Sequence, residues 1–150
     1  MMRATSSFSV AVILSLVSVA ANANLQLVTE AEMRASVAAP RLVARAVPEK
    51  DAPRIEIIAP DLHGTVSSPT RVQLKFIATA PAAPKLDTFR ALYGAFRIDI
   101  TSRLLEYAKL TPEGVVLDSA NLPSGSHRIF LEIQDSAGRV GTQVLSFTVQ

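Results

Sequence analysis

The chain of 150 residues has no cysteine, no tryptophan, and only two tyrosines and two histidines. Each shortage excludes a class of chemistry. Without cysteine there is no disulfide framework, no thiol nucleophile and no thiolate zinc site. With only His63 and His127, a catalytic zinc would have to recruit carboxylates, and none stands at a ligand spacing. No metal or other cofactor is therefore expected. Charge of one sign is lacking too. The 15 basic and 13 acidic residues are interspersed, so no cluster of Lys and Arg forms a footprint for nucleic acid. A chain with no disulfide is held by an ordinary apolar core, and the roughly 100 residues from Arg54 onward suffice for one small domain.

The one long uncharged apolar run lies at the amino terminus. Arg3 precedes Phe8 to Ala20, and Ala21-Asn22-Ala23 puts small residues at the two positions a signal peptidase reads. The run falls short of the roughly 20 residues needed to span a bilayer. Residues 1–23 are thus expected to be a cleaved signal peptide, leaving a periplasmic or extracellular protein without stable membrane insertion. No cysteine follows the cleavage point, which excludes a lipid anchor through that residue. Loss of Arg3 reduces the formal net charge from +2 to +1.

Residues 24–53 form an extension. Thr29 and Glu32 have the spacing of a capping box, which predicts a short helix from Glu30 to about Ala38. Pro40, Pro48 and Pro53 interrupt the stretch beyond it, and Ala39 to Pro53 is expected to be an extended tether.

From Arg54 the apolar period becomes two. Ile55 and Ile57 open a strand that Pro60 ends; Val72, Leu74, Phe76 and Ala78 share a face, as do Phe96, Ile98 and Ile100. Val115 to Leu117 is a further short strand. In a closing hairpin Ile129, Leu131 and Ile133 share one face, and Leu145, Phe147 and Val149 another. Alternation of this kind buries one side of each strand and wets the other, the pattern of a two-layer antiparallel sandwich. Turn signals recur at Asp61 to Pro69, Ala80 to Pro84, Thr111 to Gly114, Leu122 to Gly125 and Asp135 to Gly138. Leu86 to Tyr93 and Ser102 to Leu110 fit a helical turn as well as a strand; strand or irregular structure is expected for both.

Leu122-Pro123-Ser124-Gly125-Ser126-His127, then Ile129 to Ile133, Asp135-Ser136-Ala137-Gly138-Arg139 and Leu145 to Val149 resemble the carboxy-terminal hairpin of bacterial Ig-like domains. Ile55 to Pro60, Ser67-Ser68-Pro69 and the Val72 strand are similar to the first hairpin of that family. The resemblance covers Arg54 to Gln150. It implies an Ig-like antiparallel β-sandwich of about seven strands, and a role as spacer, adhesin module or accessory domain in a bacterial envelope. No Trp on a middle strand and no Cys pair between sheets makes this unlike the antibody-type domain.

Nothing in the chain forms an enzyme site. Asp135 with Gly138, joined by Asp99 or Asp118, is a poor match to the six to eight oxygens of calcium, and turn chemistry explains it better. His127 starts a strand on the core-facing parity, where its ring is expected to bond a backbone carbonyl; His63 sits in a turn-rich loop. Adjacent Ser126 and His127 point apart on a strand, and no nucleophile elbow occurs. Asp99 and Glu106 lack the aromatic walls of a glycosidase. The expected binding surface is an exposed sheet face bearing Arg97, Asp99, Arg128, Phe130 and Glu132. Phe130 and Ile77, apolar on the outward parity, call for cover by a partner or by the extension. The chain is accordingly expected to be a non-catalytic interaction or structural module with an envelope protein as partner. The alternative is a carbohydrate-binding module using Tyr93 and Tyr107.

Overall fold

Alternating apolar residues build two sheets that close on one another. The computed structural model describes residues 26–40 and 49–150. The expected signal peptide, and residues 41–48 of the expected tether, lie outside them. The elements are α1 (Glu30–Ala38), β1 (Arg54–Ala59), β2 (Thr65–Val66), β3 (Thr70–Ile77), β4 (Pro84–Tyr93), β5 (Ile98–Asp99), α2 (Thr101–Tyr107), β6 (Lys109–Thr111), β7 (Gly114–Ala120), β8 (Gly125–Asp135) and β9 (Val140–Val149). One sheet has the order β1-β3-β7-β6 and the other β2-β9-β8-β4-β5. Strand pairing is antiparallel except between β2 and β9. Leaving out the two-residue strands β2 and β5, the orders are those of a constant-type immunoglobulin sandwich.

The core lies between the sheets. Ile129, Leu131 and Ile133 of β8 and Leu145, Phe147 and Val149 of β9 are buried with Ile55, Val72, Leu74, Phe76, Val115 and Leu117 of the other sheet. Burial of each such side chain contributes roughly 1.5–3 kcal/mol. The β8–β9 ladder runs from Gly125↔Val149 to Gln134↔Val140 without a shift. Its turn is set by Asp135, whose Oδ1 accepts from the N–H of Ala137 (2.9 Å) and of Arg139 (3.0 Å). Arg139 Nη2 stands 2.7 Å from Asp135 Oδ2. Burial pushes this carboxyl up, but the Arg139 side chain and the two turn N–H groups outweigh it and hold it below its usual range.

Two expectations along the chain are corrected. Most of Ser102 to Leu110 is not strand: residues 101–107 form α2, and only Lys109 and Leu110 enter a strand, the edge strand β6. Ile100 and Leu104, one helical turn apart, both enter the core while Ser102 between them is exposed, which a period of two cannot achieve. Ala95 to Thr101 is not a full strand either. Residues 94–97 turn, only Ile98–Asp99 pair with β4, and Phe96 at the turn is 65% exposed. Leu86 to Tyr93 is strand, the carboxy-terminal part of β4.

The capping box of α1 forms as its spacing predicts. Thr29 Oγ1 accepts from Glu32 N–H at 3.2 Å, and Glu32 Oε2 accepts from Thr29 N–H at 2.9 Å. No residue of α1 is itself buried, yet the segment is docked on the sandwich. Leu27 and Val28 lie in the core, so the core begins upstream of Arg54. Ala95 N–H donates to Ser36 Oγ at 3.2 Å, and a β-carbon at Gly94 would strike the Ser36 side chain. Arg103 of α2 grips Glu32 through both carboxylate oxygens, at 2.6 and 3.0 Å.

The Arg103 hydrogen bonds, helped by Thr29 and opposed by burial, lower the Glu32 pKa to about 2. A carboxyl depressed by folding stabilises the native state fully above the ordinary carboxylate range, and that contribution is lost as pH falls through the folded value. The docking of α1 should therefore weaken between about pH 4.5 and pH 2. Tracking the Ala95 amide resonance through an acid titration checks this. In Glu32→Gln the same resonance should sit near its undocked position throughout, and an unchanged titration in the variant would contradict the assignment.

Candidate functional site

Because side chains alternate across a strand, the register that buries Ile129, Leu131 and Ile133 turns Arg128, Phe130 and Glu132 outward. Their β9 partners are Ser146, Val144 and Thr142; on β4, Leu92 pairs with Phe130 and Arg90 with Glu132. Asp99 of β5 pairs with Leu92. A row Asp99–Leu92–Phe130–Val144 thus crosses the outer face of the five-stranded sheet. Val144 is 37% exposed.

Arg97 reaches this face from the turn between β4 and β5. Its N–H donates to Gly94 O at 3.2 Å, and its φ of 51° is left-handed, uncommon for a residue with a β-carbon. That backbone carries the guanidinium to 4.0 Å from the centre of the Phe130 ring, with Nη1 3.2 Å from Glu132 Oε1. The Arg128 guanidinium lies over the same ring at 5.2 Å. Phe130 is consequently half-buried beneath neighbouring arginines; Ile77 is half-buried on the other sheet. Arg90 pairs with Asp99 at 2.9 Å. Thr101, through its side chain and its N–H, and then Arg90 hold the Asp99 carboxyl below its usual value. Exposed ion pairs of this kind contribute about 0–1 kcal/mol each, so they organise the face more than they stabilise the fold.

All five expected residues therefore meet on one face, and three participants lie beyond that expectation, Val144 of β9 and two residues of β4. Arg90 and Leu92 sit on the outward parity of β4, opposite the buried Phe89, Ala91 and Tyr93. An alternation over Phe89 to Tyr93 carries that signal, but the neighbouring Leu86 to Thr88 obscures it.

The remaining candidates lie elsewhere. Tyr93 is fully buried, with its hydroxyl 2.9 Å from His127 Nδ1, and has no face to offer a sugar. Burial, then the Glu32 charge, raises its pKa to about 12. Tyr107 is exposed at the end of α2. His127 is buried between Tyr93 and a stacked Phe147, with Nε2 2.7 Å from Pro123 O, the carbonyl partner expected of it. Burial lowers its pKa against the opposing bond to Pro123. Its Nε2 carries the proton that Pro123 O accepts, which leaves Nδ1 to accept from Tyr93. Both oxygens of Asp135 are taken up by its own turn. Glu106 and His63 are exposed and apart from the face. Among the described residues no group of three His, Cys, Asp or Glu is placed to hold a metal. Comparison with protein-family models, curated proteins and solved structures returns no match to the chain.

The stack of Arg97 on Phe130 is measurable by a double-mutant cycle. Urea unfolding of Arg97→Ala, Phe130→Leu and the double variant should give a coupling of about 0.5–1 kcal/mol. Additive losses would show that the two side chains do not act together.

Proposed function

We propose that this protein is a non-catalytic, exported Ig-like module that binds another envelope protein through the outer face of its five-stranded sheet. The observation that carries the reading is the gathering of Arg97, Asp99, Arg128, Phe130 and Glu132 on that face, with Leu92 and Val144 completing an apolar row. Aromatic and arginine side chains over a small apolar strip have the composition enriched in protein–protein contacts. Arg97 holds a left-handed backbone to reach Phe130, a local cost that supports a use for the face beyond folding.

Two further supports come from the sequence. Arg3, the uncharged Phe8 to Ala20 run and Ala21-Asn22-Ala23 speak for export. The hairpin likeness to bacterial Ig-like domains speaks for an accessory role, which the two-sheet arrangement accommodates. The carbohydrate reading retains only Tyr107, since Tyr93 lies inside the sandwich.

Affinity purification of the tagged mature protein from cross-linked envelopes tests the proposal. A stoichiometric protein partner should be recovered, and it should be lost with Phe130→Ser or Arg97→Glu in variants that melt as the native protein does. Recovery undiminished by both substitutions would move the interaction off this face.

A further inference from the structure

Charge on the outer face does not cancel. Arg90 is matched by Asp99 and Arg97 by Glu132, while Arg128 makes no ion pair among the described residues. Its Nε is buried and has no hydrogen-bond partner. An unsatisfied buried donor costs stability, and a serine or threonine at this outward position would spare that cost. The chain instead keeps a planar guanidinium against the Phe130 ring, a fork of donors suited to a carboxylate. The row Leu92–Phe130–Val144 runs beside it.

We infer that the partner enters this face with an acidic segment, one carboxylate pairing with Arg128 while an adjacent apolar side chain lies on the Leu92–Phe130–Val144 row. This rests on the outer face being the binding surface. Charge complementarity selects the occupant. A free inorganic anion would satisfy Arg128 and leave the apolar row bare. A second copy presenting the same face offers only Asp99 and Glu132, both already engaged. An extended acidic and apolar segment satisfies both features together.

The probe is a labelled ten-residue peptide of alternating glutamate and leucine, compared with glutamine–leucine and lysine–leucine versions by fluorescence anisotropy on the mature protein. The glutamate peptide should bind about tenfold more tightly than the glutamine peptide at low salt, with the preference shrinking at high salt. Arg128→Met should abolish that preference with Tm unchanged or raised, since it removes an unpaired donor and keeps the stem beside Phe130. Arg128→Lys, keeping charge without the fork, should retain part of it. Absence of glutamate-peptide binding, tighter binding of the lysine peptide, or a preference surviving in Arg128→Met would overturn the inference. Phe130→Ser separates the two levels. If glutamate and glutamine peptides bind equally and both are lost in Phe130→Ser, the acidic partner is refuted while the face stands. If neither is weakened by Phe130→Ser, the face itself is refuted.

Discussion

The turn at Asp135 governs the rest of the molecule. Its carboxylate is fully buried and is bound by two turn N–H groups and the Arg139 side chain, so β8 enters β9 in a single register. A slip of β8 by one residue would turn that strand over, sending Ile129, Leu131 and Ile133 to solvent and Phe130 into the core. The buried face that carries Ile129, Leu131 and Ile133 and the outer face that carries Arg128, Phe130 and Glu132 are two sides of that same ladder. Core and candidate site are therefore not independent features: a single choice of register produces both.

From that ladder the other elements take their positions. β4 joins β8 with Tyr93 opposite Ile129, which carries the Tyr93 hydroxyl to His127 inside the sandwich and Leu92 to Phe130 outside it. The turn after β4 then hands Arg97 across to Phe130 and Glu132. Behind it α2 places Arg103 where Glu32 can be gripped, and α1 closes against Gly94 and Ala95 at the same turn. The turn between β4 and β5 is thus held from two sides, by the face and by the docked amino-terminal segment. This coupling gives α1 a structural part in keeping Arg97 where it stands.

Legibility in the sequence tracks the range of the interactions. The closing hairpin is readable because an alternating pattern and a turn residue with its own backbone partners agree over one short stretch. The α1 capping box is readable for the same reason, as a contact three residues long. What escapes a reading of the sequence depends on distant partners. α2 has no side-chain cap at its start, where Ile100 stands, and its helical turn lets Ile100 and Leu104 both reach the core while Ser102 between them stays in solvent. Leu27 and Val28 show no period at all, yet both are core residues. Arg90 is hidden by a register irregularity between Lys85 and Arg90, and Phe96 shares the parity of Ile98 and Ile100 but not their burial, because the left-handed Arg97 breaks the alternation. Of the site, the β8 half is legible and the β4 half is not.

The absence of native cysteine makes the central claim directly measurable along β9. Single cysteines at Thr142, Val144 and Ser146 report on the face opposite Glu132, Phe130 and Arg128 without replacing them, while cysteines at Leu145 and Phe147 report on the core. In the purified protein the first three should react with a thiol reagent and the last two should not. In intact cell envelopes the same three should become protected. Equal labelling at 142, 144 and 146 in both settings would contradict a partner on this face, and labelling at 145 or 147 would contradict the register from which the face arises.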